Sequence, residues 1–227
     1  MTREPAVKVE RASKVFQNGR VELRALSDAW LRVAHGEFVA VMGPSGSGKT
    51  TLLNLIAGLD APTSGTVHVS GKCVSSMSDN EVAVFRRRHI GFIYQTFNFL
   101  ADLTLEENIG VPLMLDGRSR SEISERVARS LQQMGLYDRR YHRPTEVSGG
   151  ELQRAAIARA LVAEPAVVLA DEPTGNLDSL AGERVLIDMR RAVDELGRTV
   201  ILVTHDAKAA AYANRIERLL DGSFEGT

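Results

Sequence analysis

Eight consecutive residues, Gly43-Pro44-Ser45-Gly46-Ser47-Gly48-Lys49-Thr50, constrain this chain more than any other segment. They follow a continuous apolar run, Phe38 to Met42, with the length and make-up of a strand buried on both faces. They lead into Thr50 to Leu59, which the pattern predicts as a helix. A strand, a glycine-rich turn and a helix in that order are the context that gives the spacing G-x-x-x-x-G-K-[ST] its meaning. Glycines let the backbone curl until successive N–H groups point inward, and the helix starts at the same place with its positive dipole end. Lys49 adds a point charge at the outer phosphates of a nucleotide, and the Thr50 hydroxyl is a ligand for Mg²⁺. Thr51 completes the set of phosphate-binding residues in this loop.

The rest of the chain predicts an α/β fold around that turn. Val7 and Val9, then Leu31 and Val33, alternate with polar residues and predict antiparallel strands before the loop. Thr66 to Val69, Ile90 to Tyr94, Val167 to Ala170, Thr199 to Val203 and Ile216 to Leu220 read as further strands. Ser78 with Glu81, and Thr104 with Glu107, are capping boxes that open helices. Ser121 to Met134 reads as a helix stopped by Gly135. Ser179 to Leu196 reads as another, with Leu186, Met189, Val193 and Leu196 on one face and Gly197 as its stop. Strands alternating with helices imply a P-loop NTPase core with a mainly parallel sheet. An antiparallel β part lies at the N-terminal end, and a helical subdomain of about residues 96–163 is inserted between 1–95 and 164–227. Trp30 is expected in the core, and Cys73 as a small apolar residue near a strand end.

Charge and composition narrow the function classes. Lys plus Arg is 28 against 29 Asp plus Glu, a formal net charge of -1, so the chain lacks the positive field of a duplex binder and no nucleic-acid partner is expected. One cysteine permits no internal disulfide and points to a reducing compartment. The first ten residues have no apolar stretch of the secretory kind. No run approaches the roughly 18 apolar residues needed to cross a bilayer, so any membrane role must go through a partner.

A second chemical signal is Val167-Val168-Leu169-Ala170-Asp171-Glu172, an apolar strand that ends in two carboxylates. Strand ends at the carboxyl edge of a parallel sheet face the ligand crevice. Asp171 then suits the Mg²⁺ shell, and Glu172 suits a general base for an attacking water.

At this point the residues resemble those of ATP-binding cassette (ABC) ATPases. Ser148-Gly149-Gly150-Glu151-Leu152-Gln153-Arg154 resembles the signature motif of that family, and Asp171 to Asp178 its Walker B motif running into a D-loop. Thr204-His205-Asp206 resembles the H-loop and Gln95 the Q-loop, all in family order over essentially the whole chain. The resemblance implies ATP and Mg²⁺ as cofactors and two copies meeting head to tail around two ATP molecules. It carries over Ser148, Gly149 and Gly150 as the contact to the γ-phosphate held by the opposite copy, and Asp178 as a cross-dimer contact. His205 carries over as the γ-phosphate sensor that positions Glu172 and water. Gln95 carries over as the residue that touches metal or water and reports to a membrane subunit. The implied activity is ATP hydrolysis to ADP and phosphate.

Finer features place the chain in a branch and leave some positions open. Glu151 in the signature, Gly175-Asn176-Leu177-Asp178 in the D-loop, Gly91 to Gln95 and Arg143 to Glu146 resemble the lipoprotein-releasing (LolD) and macrolide-exporter (MacB) ATPases, a branch that also holds the FtsE type. That implies an integral membrane permease of the FtsX, LolC or MacB kind and a place on the cytoplasmic face of the inner membrane. The role is then export or extraction of lipid, lipoprotein, peptide or drug, or, as in the FtsE type, signalling without transport. Phe16 is either a base-stacking aromatic or a core phenylalanine. Phe97, Phe99 and Leu100 are either subdomain core or a groove for the permease, and Arg86 to Arg88 either solvated charge or a contact to lipid or partner. The interval between Lys49 and Ser148 is too short, and too poor in heptads and cysteines, for the coiled coils or zinc modules of DNA-repair ATPases.

Overall fold

The computed structural model describes residues 4–19 and 21–225. Strands β1 (Val7–Asn18) and β2 (Val21–Val33) pair antiparallel, with Val7 opposite Val33 and Val9 opposite Leu31. These four side chains are buried, as the alternation requires. The register slips between Val9 and Ala12, where Arg11 takes a φ of 48°, as a bulged residue does. β3 (Phe38–Met42) runs into the glycine loop, and α1 (Lys49–Ile56) follows it. β4 (Ser64–Val69) pairs with β1, and β5 (Lys72–Cys73) with β4, closing a four-stranded sheet in the order β2-β1-β4-β5. Cys73 is half-buried there.

β3 belongs to a second sheet, whose other strands follow α2 (Asp79–His89), a helix whose N-terminus carries the expected Ser78–Glu81 capping box. β6 (Ile90–Ile93) leads to α3 (Leu105–Leu115), capped by Thr104 and Glu107, and α4 (Arg120–Gln133). Then come α5 (Gly149–Leu161), β7 (Val167–Asp171), α6 (Ser179–Asp194), β8 (Thr199–Thr204), the short α7 (Ala207–Ala210), β9 (Arg215–Leu220) and β10 (Ser223–Phe224). The six strands lie in the order β10-β9-β3-β8-β7-β6. All neighbours are parallel except β10 on β9.

Strand alternation sorts this sheet into two cores. Val39, Val41, Leu169, Ile201 and Val203 face α1 and the antiparallel sheet, packing on Leu52, Leu55, Val9 and Val67. Phe38, Val168, Ala170, Val200 and Leu202 face the opposite way, onto Ile157 of α5 and Val185 and Met189 of α6. A third core joins α3, α4 and α5 through Leu105, Ile109, Leu113, Val127, Leu131, Ala155 and Ala158. Helix α5 thus serves two cores at once, which explains its run of alanines: small side chains let both sides approach. At Gly91 of β6 a Cβ would lie 2.3 Å from the carbonyl oxygen of Ala160, so the strand and α5 touch backbone to backbone. None of the described helices is long and apolar enough to cross a membrane.

Three expectations need correction. Trp30 is only half-buried, with the Arg11 guanidinium 5.8 Å from its ring centroid. Residues 29 and 31 take the inward face of β2, so Trp30 between them points away. Leu196 lies beyond the end of α6 and is exposed. Arg86 to Arg88 are not free solvated charge. Arg86 donates to the carbonyl of Gly58 at 3.0 Å, and Arg87, Arg88 and Arg118 converge on Asp116 at 3.4, 2.6 and 3.0 Å. The bond from Arg88 is the main reason the Asp116 carboxyl sits below its ordinary pKa.

Candidate active site

The glycine loop is fixed by what lies behind it. A Cβ on Gly43 would stand 2.2 Å from the carbonyl oxygen of Leu219, and one on Gly48 would stand 2.3 Å from that of Ala25. Gly48 also takes a φ of 101°, a conformation that L side chains rarely adopt. Gly48 is the N-cap of α1 and supplies no side-chain cap, so the orphan N–H groups of that helix start remain free for an anion. Lys49 is buried, its ammonium donating to the carbonyl oxygens of Gly43 at 2.9 Å and Pro44 at 2.7 Å. The Ser47 side chain is buried beneath the loop.

The ends of β7 and β8 bring the acids to this loop. The Thr50 hydroxyl donates to Asp171 Oδ2 at 2.9 Å. Burial pushes the Asp171 carboxyl above its ordinary pKa, and the charge of Glu172 adds to the rise, while the Thr50 bond and Lys49 oppose it. Glu172 takes a φ of 44° just past β7, with its N–H bonded to Val203 at 2.9 Å. That turn aims its carboxylate at His205, which follows β8: Glu172 Oε1 and His205 Nδ1 are 2.9 Å apart. Gln95 lies two residues beyond β6, and its carbonyl accepts from the Asn176 amide at 3.1 Å.

These groups line one cleft of about 620 Å³ with Phe16, Leu23, Ala25, Ser45, Gly46, Gly48, Lys49, Thr50, Thr51, Gln95, Asp171, Glu172 and His205 on its walls. The volume is within the usual span for small-molecule sites, about 300–1,000 Å³. Phe16 is 40% exposed at one end of it, not packed in the core. Lys14 was not singled out from sequence; its ammonium lies 5.0 Å from the Phe16 ring centroid and is pinned to Asp60 at 2.6 Å. Its position two residues before Phe16 on one strand was the available signal. Thr50 and Asp171 are the hard oxygen donors that Mg²⁺ prefers, and a buried carboxylate with a raised pKa is one that a cation would relieve. No three His, Cys, Asp or Glu side chains converge as a metal cage among the described residues, so the ion would have to be shared with phosphate oxygens and waters.

The signature residues stand elsewhere. Ser148 is the N-cap of α5: its Oγ accepts from the Glu151 N–H at 3.3 Å, and its own N–H donates to Glu151 Oε2 at 2.9 Å. The Ser148 bonds hold the Glu151 carboxyl below its ordinary pKa, and Arg139 at 3.2 Å assists. Asp178 is the N-cap of α6, accepting from Leu180 and Ala181 at 3.0 and 2.9 Å. Ser148, Gly149, Gly150 and Asp178 line a separate cleft of about 560 Å³, and it shares no wall residue with the cleft around Lys49.

An ordered glycine cradle, an acid pair and a serine-glycine helix start on one chain invite comparison with known proteins. The ABC transporter family profile matches residues 26–175. The chain belongs to the ABC transporter ATP-binding family. It is similar to an uncharacterized ABC transporter ATP-binding protein of Methanocaldococcus jannaschii, 45% identical over 218 residues that cover 96% of this chain and 97% of the relative. The lipoprotein-releasing system ATP-binding protein LolD of Chromohalobacter salexigens is 43% identical over 96% of this chain and 92% of its own length. The macrolide export ATP-binding/permease protein MacB of Rhodopirellula baltica is 46% identical, but this cassette covers 92% of itself and only 31% of that protein. Among solved structures, the dimeric post-hydrolysis state of the ATP-binding cassette MJ0796 bound to ADP and Pi superposes on this ABC cassette with a TM-score of 0.90. It is 40% identical over 96% of each chain.

Proposed function

We propose that this chain hydrolyses ATP as the motor subunit of a LolD- or MacB-like system, working as two copies beneath a separate membrane permease. One observation carries the reading: the glycine cradle and the signature helix start line different clefts of the same chain. On this reading each cleft supplies half of the wall around a triphosphate, and a second copy supplies the other half.

The residues divide the work as follows. Phe16 stacks on adenine, the loop from Gly43 to Thr51 holds the phosphates, and Lys49 shifts from its loop carbonyls to the phosphate oxygens. Asp171, Thr50 and Gln95 would hold Mg²⁺, which would supply neutralisation of the charge on the phosphates. Glu172 takes a proton from water as its oxygen attacks the γ-phosphorus, and ADP leaves with its β-oxygen freed. His205 holds the Glu172 carboxylate in line, as their 2.9 Å contact already does. Ser148, Gly149 and Gly150 of the other copy close over the γ-phosphate, with Asp178 beside them. The segment 96–163 acts as a helical subdomain, and Leu100, 56% exposed, with the half-buried Phe99 forms an apolar lip for the permease. The cargo is a lipid, lipoprotein, peptide or drug taken from the inner membrane, and the chain works at its cytoplasmic face.

Mixing two inactive variants tests the shared wall. Lys49→Ala and Ser148→Arg, mixed in equal amounts, form hybrids in about half of all pairs, each with one intact composite site of its two, so about one site in four is intact across the mixture. About a quarter of wild-type ATPase activity should return. A mixture no more active than its components would refute the reading.

A further inference from the structure

Next to the signature cleft lies a second one of about 430 Å³, between the end of α4 and the flank of α6. The two share Arg154 and Arg184, and Arg191, exposed at the surface, lines only the second. Arg154 is tethered by its Nε to the carbonyl of Met134 at 3.1 Å, and its Nη1 lies 3.9 Å from where a Cβ on Gly150 would sit. One end of that guanidinium is therefore fixed and the other borders the signature glycines. The Arg184 side chain makes no hydrogen bond or ion pair among the described residues, and only its charge acts on Asp188.

The acids nearby do not cancel these charges. Glu151 is engaged by Ser148 and Arg139, and Asp178 by the first N–H groups of α6. In the second cleft Asp188 is the single acid beside three guanidinium groups, with Arg191 3.7 Å away. The Asp188 carboxyl is raised by its burial, with the three arginines opposing. What remains is a forked, positively charged recess that starts at the signature. Planar guanidinium groups match the oxygens of a tetrahedral phosphate, and a tethered one loses little freedom on binding.

We propose that Arg154, Arg184 and Arg191 form an inorganic-phosphate site, a first station for the phosphate that leaves the shared pocket by way of the signature side. The station's role in release rests on the two-copy reading above; the site itself belongs to a single chain. The class of ligand is a free tetrahedral oxyanion, and the source is the γ-phosphate cleaved at the partner copy's cradle.

The test separates the two claims. In Lys49→Ala protein, whose cradle no longer holds phosphate, a ³¹P NMR titration with inorganic phosphate should show millimolar binding. Adding Arg184→Gln with Arg191→Gln should weaken it at least about tenfold, as expected for lost hydrogen bonds between charged groups. No binding in Lys49→Ala protein, or unchanged binding after both arginine substitutions, overturns the site. Lys49→Ala protein does not rely on a composite ATP pocket, so this result stands apart from the dimer. As a measurement free of that variant's folding, phosphate should inhibit Arg184→Gln ATPase at least about tenfold less than wild type, with KM for ATP unchanged. Equal inhibition of both proteins would also overturn the proposal.

Discussion

Asp171 sits where function and stability pull apart, and Asp171→Asn should separate them. The carboxylate is held near Lys49, but burial and the neighbouring Glu172 push its pKa up from the ordinary value of 3.8. An acid whose folded pKa is raised binds more protons in the folded state than in the unfolded one, so its contribution to stability falls as pH rises through that interval. At neutral pH the ionised group is a net cost. Asparagine keeps an oxygen to accept the 2.9 Å bond from Thr50 while removing the charge. Relief of such a cost is typically worth about 1 kcal/mol, and in a chain of this size that corresponds to about 2–4 °C in melting temperature. The free variant should therefore melt above wild type at pH 7. The gap should close as pH falls below the ordinary carboxylate range, where both side chains are neutral.

Adding Mg²⁺ with a non-hydrolysable ATP analogue should reverse the order. Ligand at a hundredfold over Kd stabilises the folded state by about 2.7 kcal/mol, or more than about 5 °C here. On the proposed reading wild type has the carboxylate that would share the ion, and the variant does not. Differential scanning fluorimetry at two pH values, with and without nucleotide, reads all four melting temperatures. If the free variant melts below wild type at pH 7, the Thr50 bond and the charge of Lys49 outweigh burial and this account of Asp171 is wrong.

Three other perturbations probe the same cleft. Glu172→Gln should leave ATP binding intact and lower kcat by about 10²–10⁴, the range expected for a lost general base, and it should yield an ATP-stabilised dimer; gel filtration with ATP that shows only monomer would count against it. Lys49→Ala should abolish ATP binding, and tight binding measured by equilibrium dialysis would mean that the cradle is misassigned. Gly43→Ala forces a Cβ to within 2.2 Å of the Leu219 carbonyl oxygen, so it should cost about 1–3 kcal/mol in urea unfolding; a cost below about 0.5 kcal/mol would mean that β9 yields freely behind the loop.

The placement of the candidate site was legible in the sequence because each of its groups is set by a short-range rule. A loop between a buried strand and a helix places Lys49 and Thr50, and a strand that ends in acids places Asp171 and Glu172. Capping boxes fixed three helix starts, at Ser78, Thr104 and Ser148, although only the first two were read as caps. What escaped depends on partners distant along the chain. Arg88 looks solvated until Asp116, 28 residues away, is folded beneath it. Leu196 continues the apolar stripe of α6, but Gly197 with a φ of 63° turns the chain, and its N–H closes back on Val193 at 3.0 Å. The helix is already over when Leu196 is reached.

The order of the motifs also hides how far apart they end. Lys49 is placed by β3 and Ser148 by α5, and these belong to different layers of packing: α5 is held between the helical core and the far face of the sheet. Its N-terminus therefore emerges on a cleft of its own, next to Asp178 rather than Lys49. The start of α5 and the forked cations beyond it then offer positive potential that Glu151, Asp178 and Asp188 offset only in part. At the cradle the reverse holds once a triphosphate is bound, because its outer oxygens exceed what Lys49 and the start of α1 can satisfy. Two incomplete electrostatic surfaces of opposite sign on one molecule favour head-to-tail pairing, and they make its strength depend on the nucleotide. Dimerisation should weaken with ionic strength and vanish when ADP replaces ATP, because the charge that joins the halves leaves with the γ-phosphate.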